Sequence, residues 1–338
     1  MRLLEPLVLG ARTAPNRVVF GPHETNLGRG RSISDRHVAY YRARAEGGAG
    51  TVVIEEASVH PSDWPYERCP LAADSSPGWA AVADACHRSG ALVLAALGHA
   101  GGQGSSAYSQ TPLWAPSRVP EVNSREVPKW MEAEDIEAVI AGFGAAAGAA
   151  VEAGLDGVEV NAGQHSLVRQ FLSGLTNHRD DEWGADRLLF ARRVLAAVRG
   201  HAGPGAVVGL RLSCDELAPW AGIVPDAAAA LAGELADEID YLTVVRGSIF
   251  TVSATRPDGH TEPGFNLELT GALRAALPAR VAVIAQGSIV DVAQAERAVT
   301  DGLADGVEMT RAQIADPRLV AKARTPERIR PCILCNQA

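Results

Sequence analysis

The sequence has little cysteine, no basic run and no long apolar stretch, and each absence excludes a class of protein. Its five cysteines are an odd, sparse set in 338 residues, which is typical of reduced thiols in the cytoplasm and not of a disulfide framework. With a net charge of −9 and no cluster of basic residues, nothing attracts nucleic acid or an anionic membrane. No stretch approaches the roughly 18 uninterrupted apolar residues that a membrane span needs. A cytoplasmic protein with a small-molecule substrate is expected.

The sequence does contain a regular alternation of short β-branched runs and longer alanine-rich helical patterns. Hydrophobic residues make up 47% of it, which is enough for a large buried core. Eight runs have the composition of buried strands: residues 17–21, 51–55, 92–97, 157–160, 207–212, 241–245, 281–285 and 306–309. Helical patterns lie between them, near residues 35–46, 79–88, 134–153, 188–199, 226–238, 267–277 and 291–299. Such an alternation predicts a parallel sheet covered on both faces.

Eight units without a break in composition favour one domain. We therefore predict an α/β fold, a (β/α)8 TIM barrel over residues 1–330 with an N-terminal cap. The alternative is a doubly wound sheet, but its Gly-x-Gly-x-x-Gly turn is absent because Gly21 is followed by Pro-His-Glu-Thr. In a barrel the chemistry lies on the loops that follow the strands. The loops after strands 3 and 4, residues 99–129 and 161–187, are long and therefore predicted to be functional. A disordered excursion is the alternative for the first.

A series of motifs accompanies the strands in order: Asn16-Arg17-Val18, Ala45-Glu46-Gly47-Gly48, Ala153-Gly154-Leu155-Asp156-Gly157-Val158-Glu159-Val160, Gln170-Phe171-Leu172, Arg211-Leu212-Ser213, Met309-Thr310-Arg311, Ile314-Ala315-Asp316-Pro317 and Cys332-Ile333-Leu334-Cys335-Asn336-Gln337. Together they resemble the old yellow enzyme, or NADH:flavin oxidoreductase, superfamily, in particular the barrel of 2,4-dienoyl-CoA reductase and trimethylamine dehydrogenase. Residues 22–27 and 98–103 are similar to oxidoreductases associated with mycofactocin. The resemblance implies an FMN-dependent enzyme with NAD(P)H as reductant. Its reaction would transfer hydride between reduced flavin N5 and an unsaturated carbonyl or related small molecule.

The predicted phosphate site of FMN consists of Gly287, Ser288, Thr310 and Arg311. Gly287 and Ser288, after strand 7, offer backbone N–H groups, and Arg311, after strand 8, offers a bidentate guanidinium. The alternative for Arg311 is an ion pair with a neighbouring carboxylate, Asp316 or Glu308.

A positive charge is also expected near the flavin ring. Arg211, at the end of strand 5, matches the arginine that in the family faces the flavin N1–C2 carbonyl and stabilises negative charge on the reduced ring. The alternative is a purely structural arginine, which would need a buried partner.

The segment after strand 1 is implied by the resemblance to pass under the flavin. It contains Pro22, His23 and Glu24. Glu24 stands where trimethylamine dehydrogenase has the cysteine that attaches its flavin, so noncovalent FMN is predicted. Glu56 stands where that enzyme places an aromatic residue around its cationic substrate, and the loss of the ring weakens an amine-dehydrogenase interpretation. A mutual ion pair is the alternative for His23 and Glu24.

The predicted substrate site follows strand 4. The family often has His-x-x-His or His-x-x-Asn here, with a proton-donating tyrosine two residues later. This chain has Asn161 and Gln164, whose amides still suit a developing oxyanion, and Ser166 at the tyrosine position. His165 is the only nearby side chain with a suitable unperturbed pKa. A loop histidine bonded to backbone is the alternative for His165.

Cys332 and Cys335 form a Cys-x-x-Cys pair near the C-terminus. Residues 331–338 resemble the start of the four-cysteine [4Fe–4S] segment of larger relatives, in which a FAD domain follows. Two thiolates cannot hold such a cluster. We therefore expect Cys332 and Cys335 to be metal ligands only if the chain continues to further cysteines, as the N-terminal part of a larger NAD(P)H-dependent enzyme. Vestigial cysteines are the alternative.

Two other functions remain open at this stage. One is a flavin-binding electron-transfer module without standard ene-reductase activity, because the usual proton donor is missing. The other is a flavin-free phosphate-binding barrel, but no strand ends in the lysine that an aldolase would need. A homo-oligomer is compatible with either.

Overall fold

The computed structural model describes residues 1–336, in which eight parallel strands close into a barrel. In chain order they are β1 Val18–Phe20, β2 Thr51–Ser58, β3 Leu92–Gly98, β4 Gly157–Ala162, β5 Val207–Ser213, β6 Tyr241–Val245, β7 Ala282–Ala285 and β8 Gly306–Glu308. Pairing of β8 with β1 closes the barrel. The predicted (β/α)8 barrel is confirmed, and a doubly wound sheet, which has two edges, is excluded.

Seven long helices cover the outside of the barrel: α1 Asp35–Glu46, α2 Ser76–His87, α3 Ala133–Glu152, α4 Leu189–Ala202, α5 Pro225–Glu234, α6 Leu267–Ala276 and α7 Val292–Thr300. Shorter α-helices span Ser106–Ser109, Leu167–Leu172, Glu182–Ala185, Val252–Thr255, Thr310–Ala315 and Leu319–Lys322. Single 3-10 turns span Arg2–Leu4, Ala72–Asp74, Gly101–Gln103, Ala236–Glu238 and Ile249–Thr251. Within residues 1–336, no helix combines the length and apolarity that crossing a lipid bilayer requires.

The predicted N-terminal cap is an antiparallel hairpin of strands Leu7–Leu9 and Arg12–Ala14. Its buried side chains pack with interior residues of the barrel strands, including Leu94 and Ile284. Gly10, at the turn, approaches Asp240 just before β6. The hairpin therefore closes the end of the barrel at which the strands begin, so that chemistry is confined to the opposite mouth.

The long loop after β3 has defined structure, in contrast to the disordered alternative. It carries two of the short helical segments and a pair of two-residue strands, Trp114–Ala115 and Lys129–Trp130. Arg169, in the loop after β4, anchors it by donating to Gln103 Oε1 at 2.7 Å. The same guanidinium forms a fully buried ion pair with Glu216, after β5. Arg169 thus connects the loops that follow β3, β4 and β5 at the mouth of the barrel.

Candidate active site

Arg211 lies inside the barrel, where its guanidinium contacts two carboxylates. Its Nε donates to Glu159 Oε1 at 2.8 Å, and Nη2 contacts Glu308 Oε2. Glu159 also accepts from the hydroxyls of Tyr241 at 3.0 Å and Thr243 at 3.1 Å. Burial lowers the pKa of Arg211, but the two carboxylates outweigh it and hold the pKa above its ordinary value. The arginine therefore has the buried partner that a structural role requires, and its contact with a flavin remains a prediction.

Strand alternation explains how these side chains meet. Asn161 on β4 pairs with Arg211 on β5, and Glu159 lies two residues before Asn161. Side chains two residues apart on a strand share a face, so Glu159, Asn161 and Arg211 all point into the barrel. Sequence reasoning missed Glu159 and named Glu308 only as a partner for Arg311. The signal that could have revealed Glu159 was a charged residue inside an apolar strand, on the same face of the sheet as Arg211.

Gly287, Ser288 and Arg311 come together after β7 and β8. Arg311 Nη2 contacts Ser288 Oγ, while Nη1 donates to Pro257 O at 2.7 Å and Asn336 Oδ1 at 2.8 Å. The ion pair with a neighbouring carboxylate, which was the alternative, is not formed anywhere in residues 1–336. Both arginines thus belong to the mouth at which the strands end.

The corner formed by these residues fits a phosphate group. Gly287 and Ser288 have φ of 137° and 55°, and a Cβ on Gly287 would lie 2.9 Å from that of Asn266. Across residues 1–336, the backbone N–H groups of Gly287 and Ser288 donate to no protein acceptor. The buried side chain of Asn266 also lacks a partner for its amide within that range. Unpaired donors beside an arginine are the features of an anion site.

Thr310 contributes to this corner differently. Its hydroxyl accepts from Gly21 N at 2.9 Å and donates to Glu308 Oε1 at 3.2 Å. The side chain therefore joins the ends of β8 and β1, and any contact of Thr310 with phosphate would come from its backbone.

The segment after β1 separates its three predicted residues. The imidazole of His23 contacts Gly21 O at 3.1 Å and the Tyr40 hydroxyl at 2.8 Å, so it faces helix α1. Burial lowers the pKa of His23. Glu24 is exposed and Pro22 half-buried. The His23–Glu24 ion pair, the alternative interpretation, does not occur among the described residues.

Glu56 and Asn161 meet in the mouth. Asn161 Nδ2 donates to Glu56 Oε2, and Asn161 Oδ1 accepts from Gly163 N at 2.7 Å. Burial, together with the nearby charge of Asp63, raises the pKa of Glu56 to about 8. The raised pKa favours the protonated form of Glu56 at neutral pH.

Gln164 and His165, in the loop after β4, are both half-buried. Gln164 Nε2 donates to Arg246 O at 3.3 Å and is half-buried. Burial and the charge of Arg169 lower the pKa of His165 to about 4. A neutral imidazole is a poor acid, which opposes the expectation that His165 supplies a proton.

Ser166 has a structural role instead of the predicted catalytic one. Its hydroxyl donates to Asn161 O and accepts from Val168 N at 3.0 Å, as the N-cap of helix Leu167–Leu172. The side chain is fully buried. Both hydrogen-bonding capacities are used by the backbone, so Ser166 has no proton available for a substrate.

A second buried network, not anticipated from the sequence, lies between β2 and α1. Glu55 accepts from His37 Nε2 at 2.9 Å, from Tyr66 Oη at 2.9 Å and from the backbone and hydroxyl of Thr25. Tyr41 Oη accepts from Glu55 N at 2.8 Å. The network holds Glu55, the residue directly before Glu56, in place.

Cys332 and Cys335 lie close to Arg311, on the segment that contributes Asn336 to it. Both are free thiols, half-buried and exposed respectively. Gln337 and Ala338, the last residues of the iron–sulfur-like motif, lie outside the described residues. Within residues 1–336 no three metal-binding side chains are grouped together. Two thiolates do not suffice for a [4Fe–4S] cluster, so the residues present do not fit that group.

A parallel barrel with an anion corner and amide donors at one mouth defines a phosphate-cofactor barrel enzyme. The sequence profile of the family described as NADH:flavin oxidoreductase / NADH oxidase matches residues 2–328. The chain belongs to that family.

Its relatives differ in length. The chain is 32% identical over 341 residues to a metal reductase of Desulforamulus reducens, covering 99% of this chain and 51% of the relative. It is 31% identical over 345 residues to a multifunctional alkene reductase/demethylase of Caballeronia cordobensis, covering 98% and 50%. With an NADPH dehydrogenase of Clostridium acetobutylicum it shares 26% over 336 residues, covering 95% and 94%. The chain thus spans about half of the first two relatives and nearly all of the third.

Among solved structures, a 2-naphthoyl-CoA reductase in complex with 2-naphthoyl-CoA superposes with a TM-score of 0.93 at 26% identity. The match covers 99% of this chain and 54% of that one. Fold and family together make this chain an old yellow enzyme-like barrel of the NADH:flavin oxidoreductase family.

Proposed function

We propose that the chain reduces an activated carbon–carbon double bond, in an unsaturated carbonyl or related small molecule, at the expense of NAD(P)H. The observation that carries the proposal is the presence, at one mouth of the barrel, of the Gly287–Ser288–Arg311 corner and the amide donors Asn161 and Gln164. Similarity to the alkene reductase/demethylase of C. cordobensis supports the same reaction.

Each of these residues has a distinct task in the proposal. FMN, when bound, supplies the hydride chemistry between NAD(P)H and the substrate. Arg311 holds its phosphate by charge-assisted hydrogen bonds, assisted by the unpaired N–H groups of Gly287 and Ser288. Asn161 and Gln164 donate to the carbonyl oxygen of the substrate as negative charge develops on it.

Two further residues would orient and stabilise the cofactor. Arg211 contributes positive charge inside the mouth, where a reduced ring carries negative charge. Glu24 offers a carboxylate in place of a nucleophilic thiol, so FMN is held without a covalent bond. Release of intact FMN when the protein is denatured tests this point, and flavin that stays attached to the polypeptide would refute it.

The proposed reaction is tested in two stages. The purified chain is mixed with FMN, and binding is followed by the visible spectrum of the flavin. The complex is then reduced anaerobically with NADH or NADPH and mixed with an enone, a quinone or an amine. The proposal expects reoxidation by the enone with a saturated product. Absence of FMN binding refutes the flavoenzyme, and reoxidation by the quinone alone identifies an electron-transfer module.

The length of several relatives supports a further part of the proposal. Since the chain spans half of the metal reductase, we propose that Cys332 and Cys335 contribute to a [4Fe–4S] site when further cysteines follow, with electrons arriving from a FAD domain. Iron and sulfide analysis of a longer protein and of its Cys332→Ser variant tests this. The five free thiols support a cytoplasmic location for the protein.

A further inference from the structure

Glu56 owes its position to a β-bulge at the end of β2. The pairing of β2 with β3 shifts register between Ile54 and Ala57, so that Glu55 and Glu56 together oppose the single residue Ala96. A bulge of this kind re-aims the side chains that follow it. Glu55 faces α1, where its carboxylate contacts His37 Nε2 at 2.9 Å, and Glu56 faces the mouth.

No cation balances Glu56. Within residues 1–336 it forms no ion pair, and its hydrogen bond comes from the neutral amide of Asn161. The charged groups that face it are Asp63 from the loop after β2, Glu24 from the segment after β1 and Arg211 from β5. Arg211 is already engaged by two carboxylates. Burial and the nearby carboxylates of Asp63 and Glu24 favour the protonated form of Glu56 and raise its pKa, and they outweigh the hydrogen bond from Asn161, which opposes this.

The geometry also places the Glu56 carboxyl beside the substrate donor. Gly163 N fixes Asn161 Oδ1 at 2.7 Å, which turns the two N–H bonds of that amide towards Glu56 and the mouth. One N–H contacts Glu56, and the second meets no acceptor within residues 1–336, so that it can donate to the oxygen of a substrate. Gly98 leaves the room for this arrangement, because a Cβ there would lie 2.2 Å from Glu56 Cδ.

Other groups that could supply a proton are engaged elsewhere. The hydroxyl of Ser166 caps a helix, and that of Tyr66 donates to Glu55 Oε1 at 2.9 Å. The neutral imidazole of His165 is a poor acid. Among residues 1–336, Glu56 is the carboxyl group to which Asn161 donates a hydrogen bond.

We propose that Glu56, held by Asn161, is the proton donor to the substrate carbon in this active site. The inference rests on the proposed function, since it assumes that a double bond is reduced. The reduction adds one hydride, delivered through the flavin from NAD(P)H, and one proton. The O–H bond of Glu56 breaks as the C–H bond at the substrate α-carbon forms, and the resulting carboxylate regains a proton from water. Atoms and charge therefore balance over one cycle.

The protonation state of Glu56 is measured without any turnover. A protonated carboxylic acid has an infrared carbonyl stretch that a carboxylate lacks. We expect this band in the wild-type minus Glu56→Gln difference spectrum at pH 7, and its loss from that difference spectrum as the pH rises through about 8, because the other carboxyls contribute equally to both spectra. Glu152→Gln, which changes an exposed carboxyl at the end of α3, is the matched control, and its spectrum minus that of Glu56→Gln retains the band. A wild-type minus Glu56→Gln difference spectrum without the band at pH 7 overturns the proposal.

A half-reaction comparison tests the catalytic role. The Gln side chain can still accept from Asn161 but has no acidic proton. In Glu56→Gln, reduction of bound FMN by NAD(P)H and reoxidation by ferricyanide are affected far less than reoxidation by an enone, because neither protonates carbon. Reoxidation by an enone falls by about 100-fold or more. Equal losses with both acceptors indicate a structural role and refute the proton donor.

Two outcomes separate this inference from the proposed function. If wild-type chain does not bind FMN, the proposed function fails and the inference fails with it. If FMN binds but Glu56 is ionised at pH 7, only the inference fails. Should Glu56→Gln not fold, Glu56→Asp keeps an acid on a shorter side chain. That variant is expected to retain an infrared band and part of the enone activity, and loss of the band without loss of activity would refute the role.

Discussion

Arg211 on β5 reaches across the interior of the barrel and contacts Glu308 on β8, which is three strands away in one direction around the closed sheet and five in the other. With Glu159 it forms a group of three buried charges. Burial raises the pKa of Glu308, although the guanidinium opposes this. One guanidinium therefore faces two carboxyl groups before any cofactor is considered.

Replacement of Arg211 by methionine is expected to destabilise the cofactor-free protein by about 3–5 kcal/mol, because it leaves two carboxyls buried without a cation. Urea denaturation without added flavin measures the effect. Arg42→Met, which removes an exposed pair with Glu46 at 3.7 Å, is the control and should cost less than about 1 kcal/mol. An unchanged free energy of unfolding in Arg211→Met would mean that this arginine acts only on the flavin.

Arg311→Ala is expected to weaken FMN binding by about 10- to 100-fold, the range that corresponds to loss of a charged hydrogen bond. Arg311→Lys should lie between it and the wild type, because lysine keeps the charge without the bidentate fork. Quenching of flavin fluorescence gives the dissociation constants. Arg318→Ala, which removes an exposed partner of Glu327, should not alter them. Equal affinity in Arg311→Ala and the wild type would exclude the phosphate role.

Gly98→Ala is expected to fold, because the new Cβ meets only the far end of the Glu56 side chain. The carboxyl must then leave Asn161, so enone reduction should fall by about 100-fold while FMN affinity stays unchanged. Gly200→Ala, whose Cβ would enter open space, serves as the matched control. Full enone activity in Gly98→Ala would show that the Glu56–Asn161 contact is dispensable.

His165 is expected to make the stability of the protein depend on pH between about 4 and 6.5. Its pKa in the folded state is depressed, so the unfolded chain binds more protons in this interval. The stabilisation is present above pH 6.5 and is lost as the pH falls towards 4. His165→Gln should therefore lose less stability than the wild type between pH 7 and pH 4.5, by on the order of 2 kcal/mol. His260→Gln, at an exposed position, should behave as the wild type, and an unchanged pH profile in His165→Gln would refute the shift.

Elements with a strong local pattern were predicted well. Strand β6 and helix α1 have the predicted bounds, Tyr241–Val245 and Asp35–Glu46. Strand β2 was predicted to end at residue 55 but continues to Ser58, since a bulge depends on the neighbouring strand. The role of Ser166 was misjudged because the resemblance placed it in the substrate site, whereas a serine before an apolar helical segment is also a capping signal.

The barrel, its closed end and the arginine corner at Ser288 follow from patterns within short stretches of chain. Hydrophobic alternation and strand-end motifs are local, so they can be recognised in the sequence without knowledge of distant contacts. The partners of Arg211 and the protonation of Glu56 and His165 were decided only by folding. They depend on desolvation and on charges from strands that lie 50 to 100 residues apart in the chain, as with Arg211 and its partners at separations of 52 and 97 residues. The free energy of ionisation changes steeply with burial and with the distance to other charges. Neither burial nor distance can be read from the amino-acid sequence.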